Sequence, residues 1–377
     1  MKYLRSRYYS ALQLLKSYAY PTPFHVFIKS YFKQHKKYGS KDRKAISEIC
    51  YHYFRCGLQM ESLEISEGLL LSMLTLDIDN LSDWNNLVEE LGCFDQIDED
   101  HSNQRGEYIA KQIGNSVSFY RSDFLMDEFK HYNEATNQNF RPKNWAKDHW
   151  SKEQGKLGLC GTKDIKLDTE LSTQIQVQDL SSQYLCSQIS IQENDKVWDV
   201  CCGSGGKSLN LSYDRKGDFY LTDIRSSILK NAQSRLQSMH YKASFSMLDA
   251  TQAMTQLSFE GNDLIHHHFF DVIIADVPCS GSGTWFRNPE HFNYFDYDSI
   301  QEYLQRQKKI IQNSLPFLKE GGLFYYLTCS VFEQENTAIK RWMLDQFQLI
   351  LQEEICFDGI HQKSDGMYMV CFRKQEK

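Results

Sequence analysis

The sequence predicts a doubly wound α/β domain with a parallel sheet, carried behind an all-α N-terminal region. Three observations predict it. Short apolar runs alternate with amphipathic stretches after residue 190, acids or hydroxyls close those runs, and residues 1–135 show helical periodicity with little β signal. A length of 377 residues fits two domains better than one. We expect a helical domain at 1–135, a linker and small subdomain at 136–180, and the α/β domain at 181–377. An aromatic content of 14% excludes collagen-like, low-complexity and broadly disordered chains.

In the N-terminal region Leu4, Tyr8, Leu12 and Leu15 recur at helical spacing, as do Ile46, Ile49, Cys50, Tyr53 and Phe54. Ser40 stands where it can cap the second of these helices. The run Leu69–Leu76 reads as a buried helix, far short of the roughly 18 apolar residues a membrane span needs, so no membrane partner is expected. Residues 1–44 hold eleven lysines and arginines against one acid, Asp42. That head therefore carries +10 in a chain of net charge −7, which leaves −17 for the remainder. Tyr3, Tyr8, Tyr9, Tyr31, Phe32 and Tyr38 are interleaved with the cations. Two readings are open, a solvated helical face over core aromatics or an electrostatic footprint for nucleic-acid phosphates.

The eleven cysteines contain no CxxC pair. The basic N-terminus has no signal-peptide core, because Lys16 ends the stretch Ala11–Leu15. Scattered thiols without an export signal suggest a reducing compartment, and we expect a cytoplasmic monomer. His266, His267 and His268 lack partner cysteines and read as a loop, so no metal is expected.

A polar stretch with Arg141-Pro142-Lys143 and the segment Thr173–Val177 lead into the alternating region. Strands are expected at Lys196–Cys201, Asp218–Leu221, Ala243–Leu248, Asp271–Ala275 and Leu323–Leu327, with helices at Ser226–Met239 and Ile300–Leu318. Ligands of such sheets bind beyond the carboxyl ends of the strands. The first strand runs into Cys201-Cys202-Gly203-Ser204-Gly205-Gly206-Lys207. Glycines at this turn let the backbone approach a ligand and aim helix N–H groups at it. The second strand leads to Asp223, where an acid can accept from ribose hydroxyls, and Asp249 closes the third in the same way. Each acid alone could be a helix cap. Together, without a GxGxxG or Walker motif, they fit S-adenosyl-L-methionine better than NAD or ATP.

The fourth strand ends in Asp276-Val277-Pro278-Cys279-Ser280-Gly281, and the fifth in Thr328-Cys329-Ser330. Neighbouring strand ends would bring both thiols to one cleft. Methylation of a pyrimidine ring carbon uses such a pair: a thiolate adding to C6 of cytosine makes C5 nucleophilic, and a second thiol can help release the product. Asp276 stands where an acid could face the ring's N3 and amino group. The nucleophilic thiol needs an activating environment, since a free thiol has a pKa of roughly 8.5.

On these motifs residues 178–377 resemble the catalytic domain of the Sun/Nop (RsmB-type) RNA cytosine-C5 methyltransferases, a Rossmann-like class I methyltransferase fold. That family's glycine motif matches Asp199, Cys201, Gly205, Gly206 and Lys207; its Asp-x-Pro-Cys-Ser-Gly motif matches Asp276 to Gly281; its Thr-Cys-Ser motif matches Thr328 to Ser330. Gln178-Asp179, Ser181-Ser182-Gln183, Gly283-Thr284, Arg287-Asn288-Pro289 and Asp365-Gly366-Met367 add further matches. The resemblance implies Cys329 as nucleophile and Cys279 as the thiol that assists release, whereas in DNA enzymes the Pro-Cys cysteine attacks. The N-terminal region resembles, through Lys41-Asp42-Arg43 and Tyr53-Phe54-Arg55, the NusB-like RNA-binding domain of the RsmB-type subgroup. This implies RNA as partner, ribosomal RNA of the small subunit first and transfer RNA second. The chain departs from the family at Cys202-Gly203-Ser204 in place of Ala-Ala-Pro, and at Ile228 and Phe286, each in place of an arginine. Two other classes stay open: an RNA-binding adaptor that has lost turnover, and a small-molecule methyltransferase.

Overall fold

The computed structural model describes residues 3–56, 63–73, 81–92, 149–151, 175–213, 217–261, 264–285, 288–357 and 364–376. Leu74 to Leu76, Arg141 to Lys143, Thr173, Phe286 and Arg287 lie outside them. The chain divides into two compact units, residues 1–142 with 285–295, and residues 143–284 with 296–377.

The first unit is helical. It contains α1 (Leu4–Ser17), α2 (Phe24–Gln34), α3 (Ser40–Cys56), α4 (Ile65–Met73) and α5 (Leu81–Leu91). Every residue of the two expected apolar faces is buried in one core with Leu69, Leu70, Leu71 and Trp84. The polar tips of buried aromatics find backbone acceptors: Tyr8 Oη donates to Ser66 O at 3.0 Å, and Trp84 Nε1 to Leu70 O at 3.0 Å. Ser40 is the first residue of α3, one position inside the expected cap, because the carbonyl of Gly39 accepts from the Arg43 N–H. Residues 285–295, which follow the Cys279 motif in sequence, pack within this unit. Their buried Glu290 accepts from the Phe24 N–H at 3.1 Å, at the amino end of α2 where orphan donors lie, and Asn293 Nδ2 donates to Phe54 O at 2.6 Å.

The second unit holds β1 (His149–Ser151) and β2 (Ile175–Val177), an antiparallel pair, and then the main sheet. Its strands are β3 (Lys196–Asp199), β4 (Asp218–Asp223), β5 (Ser244–Met247), β6 (Phe270–Asp276), β7 (Leu318–Thr328), β8 (Leu349–Phe357) and β9 (Met367–Lys374), in the order β5-β4-β3-β6-β7-β9-β8. The five strands from β5 to β7 are parallel, as expected; β9 and β8 join antiparallel, which corrects the expectation of a purely parallel sheet. Successive strand residues point to opposite faces. Val197, Phe219, Leu221, Val272 and Ile274 meet one layer, α6 (Leu180–Gln188), α7 (Gly206–Ser212) and α8 (Ser226–Ser238). Trp198, Tyr220, Ile273 and Tyr326 meet the other, α10 (Ser299–Ser314) and α11 (Thr337–Gln346), α9 being Pro289–Tyr294 of the helical unit. The order reverses between β3 and β6, and the crevice beyond the strand ends opens there.

Candidate active site

Beyond the carboxyl ends of β3, β4, β6 and β7 lies a cleft of about 980 Å³. Every site residue expected from the sequence lines it except Gly205. The turn after β3 is built from both neighbouring strands: Val200 N–H donates to Ile274 O at 3.0 Å and Cys202 N–H to Thr222 O at 2.9 Å. Gly205 then takes φ +75°, where a Cβ would stand 3.0 Å from both Ala232 Cβ and Leu236 Cδ1. Its part is conformational: it lets α7 start against α8 while Gly206 and Lys207 face the cleft. Ser204, in the position of the family's proline, is braced by Arg235, whose Nη1 donates to its carbonyl at 2.7 Å and its hydroxyl at 2.6 Å. Burial keeps Cys201 and Cys202 protonated, with both thiol pKa values raised.

Asp223 ends β4 almost fully buried and accepts four hydrogen bonds: from the Gly203 N–H at 3.0 Å, the Arg225 N–H at 2.9 Å, and the Arg225 guanidinium at 3.0 and 3.1 Å. Burial opposes its charge, but the Arg225 contacts and the Gly203 N–H hold its pKa below the ordinary value. Asp249 turns its carboxylate to the Thr251 N–H at 3.0 Å and Oγ1 at 2.6 Å, the local cap that such an acid can form. Lys207 reaches across from α7 to Asp276, Nζ to Oδ2 2.6 Å. Burial works against the ammonium charge, yet the Asp276 carboxylate raises the Lys207 pKa overall.

The two thiols meet. Cys279 Sγ and Cys329 Sγ lie 3.4 Å apart at the ends of adjacent β6 and β7. This contact and burial push the Cys279 thiol well above the ordinary cysteine value. The loops that carry them are cross-linked: Gly283 N–H donates to Cys329 O at 2.9 Å, and Val331 N–H to Ser282 Oγ at 2.9 Å. Gly283 itself is pressed against a third loop, where a Cβ would fall 2.0 Å from Gly366 O. Beneath the thiols sits Glu335, which accepts from Ser280 N–H at 3.0 Å, Gln307 Nε2 at 2.9 Å and Ser330 Oγ at 2.6 Å.

Sequence reasoning missed Arg225, Arg235 and Arg306 in the cleft, and Glu335 below it. Arg235 and Glu335 belong to helices or turns whose own sequence carries no motif, so only packing reveals them. His267 packs edge-on against Phe317, and among the described residues no group of His, Cys, Asp and Glu is arranged to hold a metal ion.

Parallel strands in the order β5-β4-β3-β6-β7, followed by the reversed β9 and the edge strand β8, with a glycine turn after β3 and an acid at the end of β4, define a Rossmann-like methyltransferase domain. Residues 187–371, just under half of the chain, match the family described as 16S rRNA methyltransferase RsmB/F. Ribosomal RNA small subunit methyltransferase B of Xylella fastidiosa (strain 9a5c) is 27% identical over 179 residues, 47% of this chain and 40% of that protein. The tRNA (cytosine(72)-C(5))-methyltransferase NSUN6 of Mus musculus is 29% identical over 202 residues, 51% of this chain and 42% of that protein. The chain thus spans about two fifths of the length of these curated relatives. The crystal structure of PH0851 shares its fold, with TM-score 0.64, 15% identity and 97% of each chain covered.

Proposed function

We propose that the protein methylates C5 of cytosine in RNA, with small-subunit ribosomal RNA as the first substrate class and S-adenosylmethionine as methyl donor. The observation that carries the reading is the pair of thiols in contact at one end of a cleft whose other end is a glycine turn flanked by acids. The residues fit the donor. Gly203, at φ +54°, lines the cleft, Gly205, at φ +75°, turns the chain into α7, and Asp223 and Asp249 offer carboxylates for hydroxyl and amino groups. The four bonds on Asp223 mean that ribose hydroxyls would take the place of the Arg225 guanidinium. When bound, the cofactor supplies an electrophilic sulfonium methyl group.

Cys329, as thiolate, forms a bond to C6 of the target cytosine, and the electron pair made available at C5 takes the methyl group. Asp276, steadied by Lys207, faces the ring's N3 and amino group. The C5 proton then leaves to solvent water, its electron pair re-forms the C5=C6 double bond, and the S–C6 pair returns to the Cys329 sulfur. Cys279, held as a thiol against Cys329, donates its S–H to the departing sulfur. The helical unit serves as the NusB-like RNA-binding domain. Transfer RNA is a second substrate class, since the mouse relative is named for it.

Tritium transfer from S-adenosylmethionine to RNA tests the reading. Cys329→Ala should abolish transfer, and Cys279→Ala should leave a covalent RNA–protein adduct on a denaturing gel. An adduct that forms without Cys329 would reverse the two roles, and tight RNA binding without any transfer would make the protein an adaptor. Bisulfite mapping of RNA from cells lacking the gene identifies the target.

A further inference from the structure

Glu335 is fully buried, and among the described residues its hydrogen-bond partners are all uncharged. A carboxylate in that setting is costly unless its lone pairs are well used. Here they join the two loops that carry the thiols. One oxygen takes the Ser280 N–H, next to Cys279, together with the Gln307 amide that also donates to Pro278 O at 3.1 Å. The other takes the hydroxyl of Ser330, next to Cys329. Because Ser330 donates its hydroxyl hydrogen to Glu335, its oxygen is left only to accept, from the Phe332 N–H at 3.0 Å and from the hydroxyl of Ser280 or Ser282, each at 3.2 Å.

We propose that Glu335 is a positioning residue, the buried acceptor that locks the Pro278–Ser282 and Thr328–Ser330 loops in the register that brings Cys279 and Cys329 into contact. Among the described residues its side chain bonds to neither thiol, and it is not part of the cleft lining. Its negative charge also adds to the contact with Cys329 and the burial that keep Cys279 a thiol. The inference rests on the two-thiol reading above and assigns it a support that the motifs do not contain.

Diamide tests the contact without RNA. It removes one hydrogen from each of two meeting thiols, becoming a hydrazine as the disulfide forms, so the rate follows how often the sulfurs meet. In the full chain, mass spectrometry of the Cys279–Cys329 peptide pair should show disulfide formation slowed about tenfold or more in Glu335→Ala. Glu335→Gln, which keeps one acceptor oxygen, should be slowed less. Ser330→Ala should be slowed about threefold, and it decides the matter if the Glu335 variants do not fold. S-adenosylmethionine binding should stay within about twofold, so kcat falls while the cofactor KM holds, and adduct accumulates with total RNA from cells lacking the gene. Wild-type disulfide rates in folded Glu335→Ala and Ser330→Ala would overturn the proposal. Failure of the wild-type protein to methylate RNA would instead sink the functional reading and leave the diamide result standing.

Discussion

Asp199, at the end of β3, shows what burial does to a single group. Its Oδ2 accepts from the Ser208 hydroxyl, its Oδ1 has no hydrogen-bond partner among the described residues, and burial pushes its pKa up to about 7. A carboxyl whose native pKa lies above its unfolded value of 3.8 holds a proton that the unfolded chain has lost between those two values. Its contribution to stability therefore falls as pH rises from about 4 to about 7. Asp223, held low, works the other way and is stabilising above its unfolded pKa. Asp199→Asn keeps an acceptor for Ser208 and removes the titration. Its melting temperature relative to wild type should rise from pH 5 to pH 8; an equal drop at both would mean that the native carboxyl is already charged. The sequence marked Asp199 as part of a motif, but a shift of this kind depends on the sheet and helix that enclose the side chain.

Among elements, the turn from β3 into α7 is where backbone geometry limits the choice of residue most. Gly205→Ala would put a methyl group in a left-handed conformation and within 3.0 Å of Ala232 Cβ. We expect a loss of about 1–3 kcal/mol in denaturant unfolding, with cofactor binding weakened at least in proportion. Gly206→Ala, whose Cβ would meet no protein atom within 4 Å, is the control for the unfolding measurement alone. Most of the parallel strands were legible as apolar runs closed by a polar residue, whereas β5, Ser244–Met247, alternates serine with apolar residues. The helix expected to reach Leu318 stops at Ser314, since Pro316 lacks an N–H and disfavours helix before it, and β7 starts at Leu318 itself. β8 and β9 were not read. β8 is an exposed edge with Glu353 and Glu354 in its middle, and its strand character comes from pairing with β9.

Over the whole molecule, charge is the property that composition alone misstates. The basic head resolves into two populations. Arg5 pairs with Glu90 and Arg7 with Asp42, so part of the charge is spent within the helical unit. Lys16, Lys29, Lys33, Lys36, Lys37, Lys41 and Lys44 stay exposed. Tyr8, Tyr31, Phe32 and Tyr38 are core residues, so the aromatics interleaved with these cations serve mainly the fold. Screening over about 8–10 Å makes RNA respond to such a local cluster rather than to a net charge. Replacing Lys33, Lys36 and Lys37 by Gln should weaken RNA binding and lower the salt slope by about two, with S-adenosylmethionine affinity unchanged. An unchanged slope would place the RNA elsewhere. Among the described residues no helix is long and apolar enough to cross a membrane.

The sequence by itself determined the periodicities, the residue types at the strand ends and the pairing of two cysteine motifs, because each is a pattern written in local residue spacing. Tertiary structure alone decided that Cys279 and Cys329 touch, that the Asp223 carboxylate is already filled by Arg225, and that Glu335 ties the two thiol loops together. Those facts rest on pairings across 50, 2 and up to 55 residues. Even the shortest of them depends on a guanidinium turning back on its own strand end, which spacing does not specify. A motif names the group that can act; the register of neighbouring strands and the groups buried beneath them set where it points.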